Sequence, residues 1–160
     1  EIVKKMDLYK QHMKNIGFEV TFCKLPHEVA SKYNLIITAT ASEDYVLSKN
    51  NILEGTHINA IGSDTYSKRE LGPGIIEKAD LVIADSIEQC KNIGEIACSI
   101  KDGNLNLDNV VELGDVLSGK ISGRESKSQI TVSDLTGVAV QDIKIANSVF
   151  KRFMEDKNEI

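Results

Sequence analysis

A doubly wound α/β fold with a mostly parallel sheet is what this sequence predicts, on three observations. Short apolar, β-prone runs occupy residues 34–39, 56–61, 81–84 and 129–134, as expected for strands covered on both faces. Helical spacing of apolar residues separates several of these runs. Small or polar residues follow the strand ends, and in an open parallel sheet that is where ligands bind.

Each element has its own signal. Ile2, Val3, Met6, Met13 and Ile16 recur at helical spacing with lysines between them, and Gly17 ends that helix. Residues 18–23 read as a strand. Pro26 opens a short helix to about Tyr33. Leu35, Ile36 and Ile37 are continuous, so residues 34–39 read as a strand buried on both faces. Residues 56–61 form the next strand, and a helix interrupted by Gly72, Pro73 and Gly74 leads to residues 81–84. Residues 87–100 read as a helix, residues 103–109 as a polar turn, and residues 110–117 as another short helix. Residues 129–134 make the last strand. Ala139, Ile143, Ala146, Val149, Phe150 and Phe153 then mark a long closing helix that frays after Met154.

Composition narrows the function classes. A chain of 160 residues, 41% apolar and 27% charged, is long enough for one buried core and short for two ordinary domains. No repeat or linker divides it. The net charge of −5, with lysines scattered among acids, argues against a nucleic-acid partner. No apolar run approaches the ~20 residues that cross a bilayer, so no membrane association is expected. Cys23, Cys90 and Cys98 include no Cys-x-x-Cys pair and suit a reduced, cytoplasmic compartment. His12, His27 and His57 stand far apart, without metal-ligand spacing.

Residues 55–71 carry the most chemical information. Thr56, Ile58, Ala60 and Ile61 form a strand that stops at Gly62, where the backbone can approach a ligand, and Asp64 stands just beyond its carboxyl end. Two further clusters, Thr38 to Ser42 and Ser133 to Gly137, should converge on the same sheet edge. Small side chains there would let a flat ligand such as a nucleotide lie on the backbone. The same residue types also dominate turns for structural reasons, and Asp64 is equally suited to cap a helix beginning near Ser67. Spacing alone leaves both readings open.

Three blocks in order, AIGSDTYSKREL, ADLVIADSIEQCKNIGEI and SGRESKSQITVSDLTGVAVQDIKIA, resemble the carboxyl-terminal half of the ornithine cyclodeaminase, archaeal alanine dehydrogenase and mu-crystallin family. The resemblance runs from about Gly17 to Phe153. It implies a Rossmann-like fold, NAD or NADP as cofactor, a small amino-acid or imine substrate and a homodimer. The implied reaction is hydride transfer at an amino-acid α-carbon through an iminium, by deamination or cyclodeamination.

By resemblance Asp64 takes the catalytic acid position, with Lys68 beside it. Thr38, Ala39 and Thr40 match the Thr-x-Thr that passes beneath the nucleotide, and Ile61 and Gly62 end the strand that leads to the acid. Ser133, Asp134 and Leu135 occupy the segment that reaches the nicotinamide. There the chain departs from the pattern, with Ser133 where an aromatic is usual and Leu135 where a serine is usual. Glu70 and Leu71, the block of Gln89, Gly94 and Glu95, and Gly123 with Arg124 match positions read as structural. Gly94 permits a turn, Glu95 would cap the segment after it, and Arg124 would tie loops together through its planar donor fork.

A dinucleotide fold also needs a Gly-x-Gly-x-x-Gly turn after its first strand. Gly72 and Gly74 do not follow a strand and cannot supply it. The resemblance therefore implies that residues 1–160 are the carboxyl-terminal portion of an NAD(P)-binding domain. Its sheet would be incomplete, lacking the first two strands and the glycine-rich turn, and it would be inactive alone. In the common strand order 3-2-1-4-5-6 the absent strands separate residues 18–23 from residues 34–39 and leave unpaired edges. The closing helix, about residues 137–155, would face a separate substrate and dimerisation domain. A non-catalytic nucleotide-binding protein of the mu-crystallin type is the alternative, and the acid at Asp64 favours the enzyme. A response-regulator-like interaction domain would need clustered acids at a first strand end, which the sequence does not show.

Overall fold

The β-prone runs align because one row of aliphatic side chains crosses all of them. In a computed structural model, which describes residues 2–105 and 107–158, β1 (Leu35–Thr38), β2 (His57–Ala60), β3 (Leu81–Ala84), β4 (Val110–Glu112) and β5 (Thr131–Asp134) form one parallel sheet in the order β1-β2-β5-β3-β4. The register places Ile36 beside Ile58, Ile58 beside Val132, Val132 beside Val82, and Val82 beside Val110. Each buried Ile or Val in that row contributes roughly 1.5–3 kcal/mol of transfer free energy.

Helices cover this face. Ala30 of α2 (Pro26–Ala30), Ile75 and Ile76 of α3 (Ile75–Lys78), Cys90 of α4 (Ile87–Cys90) and Ile96 of α5 (Gly94–Lys101) join the same core. Pro26 starts α2, where its missing N–H costs nothing, and the Ser86 hydroxyl accepts the Gln89 N–H to cap α4. α1 (Ile2–Asn15), α6 (Leu113–Leu117) and α7 (Ala139–Asn158) complete the elements. The described side chains of α7, over residues 139–156, are exposed. No described helix is long and apolar enough to cross a membrane.

The structure corrects the sequence reading at several places. Residues 18–23 join no sheet, because no described strand lies beside them to take ladder hydrogen bonds. Residues 34–39 are not covered on both faces: β1 is an edge strand, and Leu35 and Ile37 are 58% and 61% exposed. Residues 110–112 are a strand, not the start of a helix, since two adjacent valines suit a ladder against β3. The expected helix at 87–100 is two helices, broken where Gly94 takes φ +90°. The last strand, β5, enters the centre of the sheet and separates β2 from β3, whereas the common order would place those two side by side.

Candidate functional site

Parallel pairing brings the carboxyl ends of β2, β5 and β3 to one edge, and the chain leaves each strand there through polar residues. A cleft of about 330 Å³ opens at this edge, lined by Ile61 and Asp64 after β2, Asp85 after β3, Leu135, Thr136 and Gly137 after β5, and Gln141 of α7. Other hollows lie away from the strand ends, one along α1 beside Lys10 and Lys14 and one along α7.

Asp64 is exposed, and its Oδ1 accepts a hydrogen bond from Lys68 Nζ at 2.6 Å. That bond, with the lysine charge, lowers the Asp64 pKa below the ordinary carboxylate value. No helix begins near Ser67, where residues 65–67 form a turn instead. The capping alternative for Asp64 therefore has no helix to act on. An ionised carboxylate, paired with Lys68, lines the cleft.

The remaining expected site residues divide by exposure. Ala39, Thr40 and Ile61 are exposed at the strand ends, Leu135 is half-buried, and Gly62 is half-buried. They form an uncharged ledge beside Asp64. Thr38, Ser133 and Asp134 are buried in the sheet, so their side chains are not presented to the cleft. Gly62 also has a different reason from the one read in the sequence: a Cβ there would run into the Glu70 carboxylate and the Thr40 carbonyl.

Three buried carboxylates hold the loops around this ledge. Glu70, fully buried, accepts the N–H of Thr40 at 2.5 Å and of Gly62 at 2.9 Å. Glu95 accepts the N–H of Glu70 at 2.7 Å and of Leu71 at 3.0 Å, so it caps that loop and not the segment after it. Burial raises the Glu95 pKa. Asp134 Oδ2 accepts the N–H of Ile96 at 2.8 Å in the first turn of α5, and burial pushes the Asp134 pKa up to about 7.

Asp85 is a cleft residue that the sequence reading passed over. Its carboxylate accepts the Gly137 N–H at 2.7 Å and the Thr136 hydroxyl at 3.1 Å, while the Gln89 amide donates to Thr136 Oγ1 and to the Gly137 carbonyl. Together they tie down the loop after β5. An available signal was the run Leu-Val-Ile-Ala-Asp, which repeats the strand-then-acid pattern that singled out Asp64. Arg124 acts as its donor fork suggests, reaching the carbonyls of Gly55 and Thr56 and the Thr131 hydroxyl. Burial holds the Cys90 thiol at a pKa of about 12, which makes it inert as a nucleophile. No cluster of three or more metal-ligating side chains occurs among the described residues.

Gly94 is a second tight point of this framework, after Gly62. Its φ is +90°, and a Cβ would come within 2.6 Å of Asp134 Oδ2 and Thr136 Cγ2. Gly94→Ala is expected to destabilise the fold by about 3 kcal/mol or more, from backbone strain plus the clash. Chemical denaturation measures this directly, and a loss below about 1 kcal/mol would contradict the packing described.

A parallel α/β sheet with an acid and a small-residue ledge at its carboxyl edge defines a nucleotide-binding type of fold. Comparison with known proteins makes the assignment specific. The ornithine cyclodeaminase/mu-crystallin family model matches residues 4–157, and the chain belongs to that family. It is 40% identical to the alanine dehydrogenase of Archaeoglobus fulgidus over 127 residues, which cover 79% of this chain and 39% of that protein. It is 35% identical to a delta(1)-pyrroline-2-carboxylate reductase of Bacillus cereus over 135 residues, covering 82% of this chain and 41% of that protein.

Among solved structures, an archaeal alanine dehydrogenase dimer with bound NAD superposes with a TM-score of 0.86 at 32% identity, over 94% of this chain and 47% of that one. The Thermococcus litoralis delta(1)-pyrroline-2-carboxylate reductase, in complex with NADH and L-proline, gives 0.85 at 28% identity, over 90% of this chain and 45% of that one. The chain spans less than half the length of these relatives.

Proposed function

We propose that this chain is the carboxyl-terminal portion of the NAD(P)-binding domain of a homodimeric cytoplasmic enzyme. The enzyme transfers hydride at the α-carbon of a small L-amino acid or cyclic imine, in the manner of an alanine dehydrogenase or ornithine cyclodeaminase. The observation that carries this reading is the Asp64 carboxylate, exposed and ionised by Lys68, beside an uncharged ledge at the ends of parallel strands. The apolar stripe of α7, exposed at Ile143, Val149, Phe150 and Phe153, supports a further domain packing there.

The residues present suit a nicotinamide cofactor. Ala39, Thr40, Ile61 and Leu135 offer a flat surface without charge, and Gly62 adds no side chain to it. The nicotinamide, when bound, supplies the hydride acceptor or donor. Asp64 does the rest of the chemistry visible in this chain. A substrate ammonium must lose a proton before hydride can leave its α-carbon, and Asp64 is the base at the cleft, passing that proton on to water. Breaking the C–H bond with its electron pair leaves an iminium cation, and the ionised carboxylate opposite stabilises that charge. Lys68 keeps Asp64 ionised, which favours the electrostatic role over proton storage.

The test is to mix the full-length protein with NADH or NADPH and a panel of cyclic imines, or of 2-oxo acids with ammonium. Loss of reduced-cofactor absorbance with at least one of them is expected. No turnover with any of them, in protein that binds the cofactor, would leave only a binding role.

A further inference from the structure

Glu70 follows two charged residues, Lys68 and Arg69, in a loop, yet its own side chain is fully buried. Its two oxygens meet two main-chain donors from different loops: Thr40, which follows β1, and Gly62, which follows β2. Those residues are 30 and 8 positions away in sequence. The carboxylate thus bridges the two strand ends that make the ledge.

Both donors, part-buried at the strand ends, find their acceptor in this one carboxylate. Only a carboxylate can serve both, since an amide side chain offers one oxygen and would turn its NH2 group toward the second N–H. The absence of a side chain at Gly62 makes room for this arrangement. Glu95 repeats the device one layer further in, holding the N–H groups of Glu70 and Leu71. The ledge beside Asp64 is therefore fixed from beneath by a chain of carboxylates that never reaches the cleft.

We propose that Glu70 is a positioning residue for the cofactor, setting the relative height of the Thr40 and Gly62 turns on which the nicotinamide half rests, with Glu95 fixing Glu70 in turn. The inference rests on the dehydrogenase reading above. It predicts an effect on one half of the dinucleotide, because the two halves of such a cofactor occupy separate halves of the sheet. Damage that merely loosened the fold would weaken both halves together.

In the full-length protein, Glu70→Gln is expected to raise the Kd for NADH about 10-fold or more while changing that for ADP-ribose less than about threefold, in line with one lost charge-assisted hydrogen bond. Equal weakening of both ligands would overturn the proposal, as would unchanged NADH binding. If the variant does not fold, amide hydrogen exchange in the unaltered protein decides. Slow exchange at Thr40 and Gly62 supports the clamp, and exchange at the rate of an open loop overturns it. Unaltered protein that binds no NADH would overturn the functional reading itself, a result distinct from tight binding that Glu70→Gln leaves intact.

Discussion

Asp64→Asn is expected to lower turnover by about 100-fold or more, with a smaller change in the Kd for the cofactor. The amide keeps the size of the side chain and removes its charge. An iminium forming opposite a neutral amide loses the attraction of an anion in a partly dry cleft, and the substrate ammonium loses its base. Because Lys68 lowers the Asp64 pKa, the unaltered protein should keep Asp64 ionised across neutral pH. An Asp64 limb in the pH profile of kcat/KM belongs on the acid side, below the ordinary carboxylate value. Steady-state kinetics on both proteins checks the prediction, and unchanged turnover in Asp64→Asn would remove Asp64 from the chemistry.

The placement of Asp64 was legible in the sequence because every signal for it is local. An apolar run, a glycine and an acid follow one another, and strand geometry does the rest. The Gly94 turn was legible too, though not that it splits residues 87–100 into two helices, and the planar fork of Arg124 suits the adjacent carbonyls of Gly55 and Thr56. Gln89 was likewise readable as a structural residue. Its partners, Thr136 and Gly137, lie 47 and 48 positions away and could not be named.

Non-local pairing hid the rest. Residues 18–23 have the composition of a strand, but strand identity depends on a neighbour that composition does not supply. Residues 110–112 erred the other way, since a three-residue strand is too short to show a period and only the edge of β3 reveals it. The central position of β5 depends on the path of the chain after β4. Glu70 was correctly read as structural from its pairing with Leu71, yet nothing in a run of charged neighbours says that it is fully buried or which loops it joins. Asp134 was expected near the nicotinamide because of where it stands in its block. The fold turns its carboxylate the other way, onto α5.

That turned carboxylate sets the second large effect. Asp134 is fully buried, and one of its oxygens, Oδ1, has no hydrogen bond of good geometry. The α5 terminus favours an anion through its N–H groups, but desolvation outweighs them and raises the pKa from 3.8 to about 7. A raised carboxyl pKa means that the fold prefers the protonated form. Its relative stabilisation is complete below the unfolded value near 3.8 and is lost as pH rises through about 7. Between pH 5 and 8 this one group should cost the fold on the order of 2 kcal/mol. Asp134→Asn keeps an acceptor for the Ile96 N–H and cannot ionise, so its stability curve should be flatter over that range. The variant should gain on the unaltered protein as pH rises, and chemical denaturation at pH 5, 6.5 and 8 measures the gap. A gap that stays constant with pH would mean that Asp134 is ionised throughout, with its charge held by α5 after all.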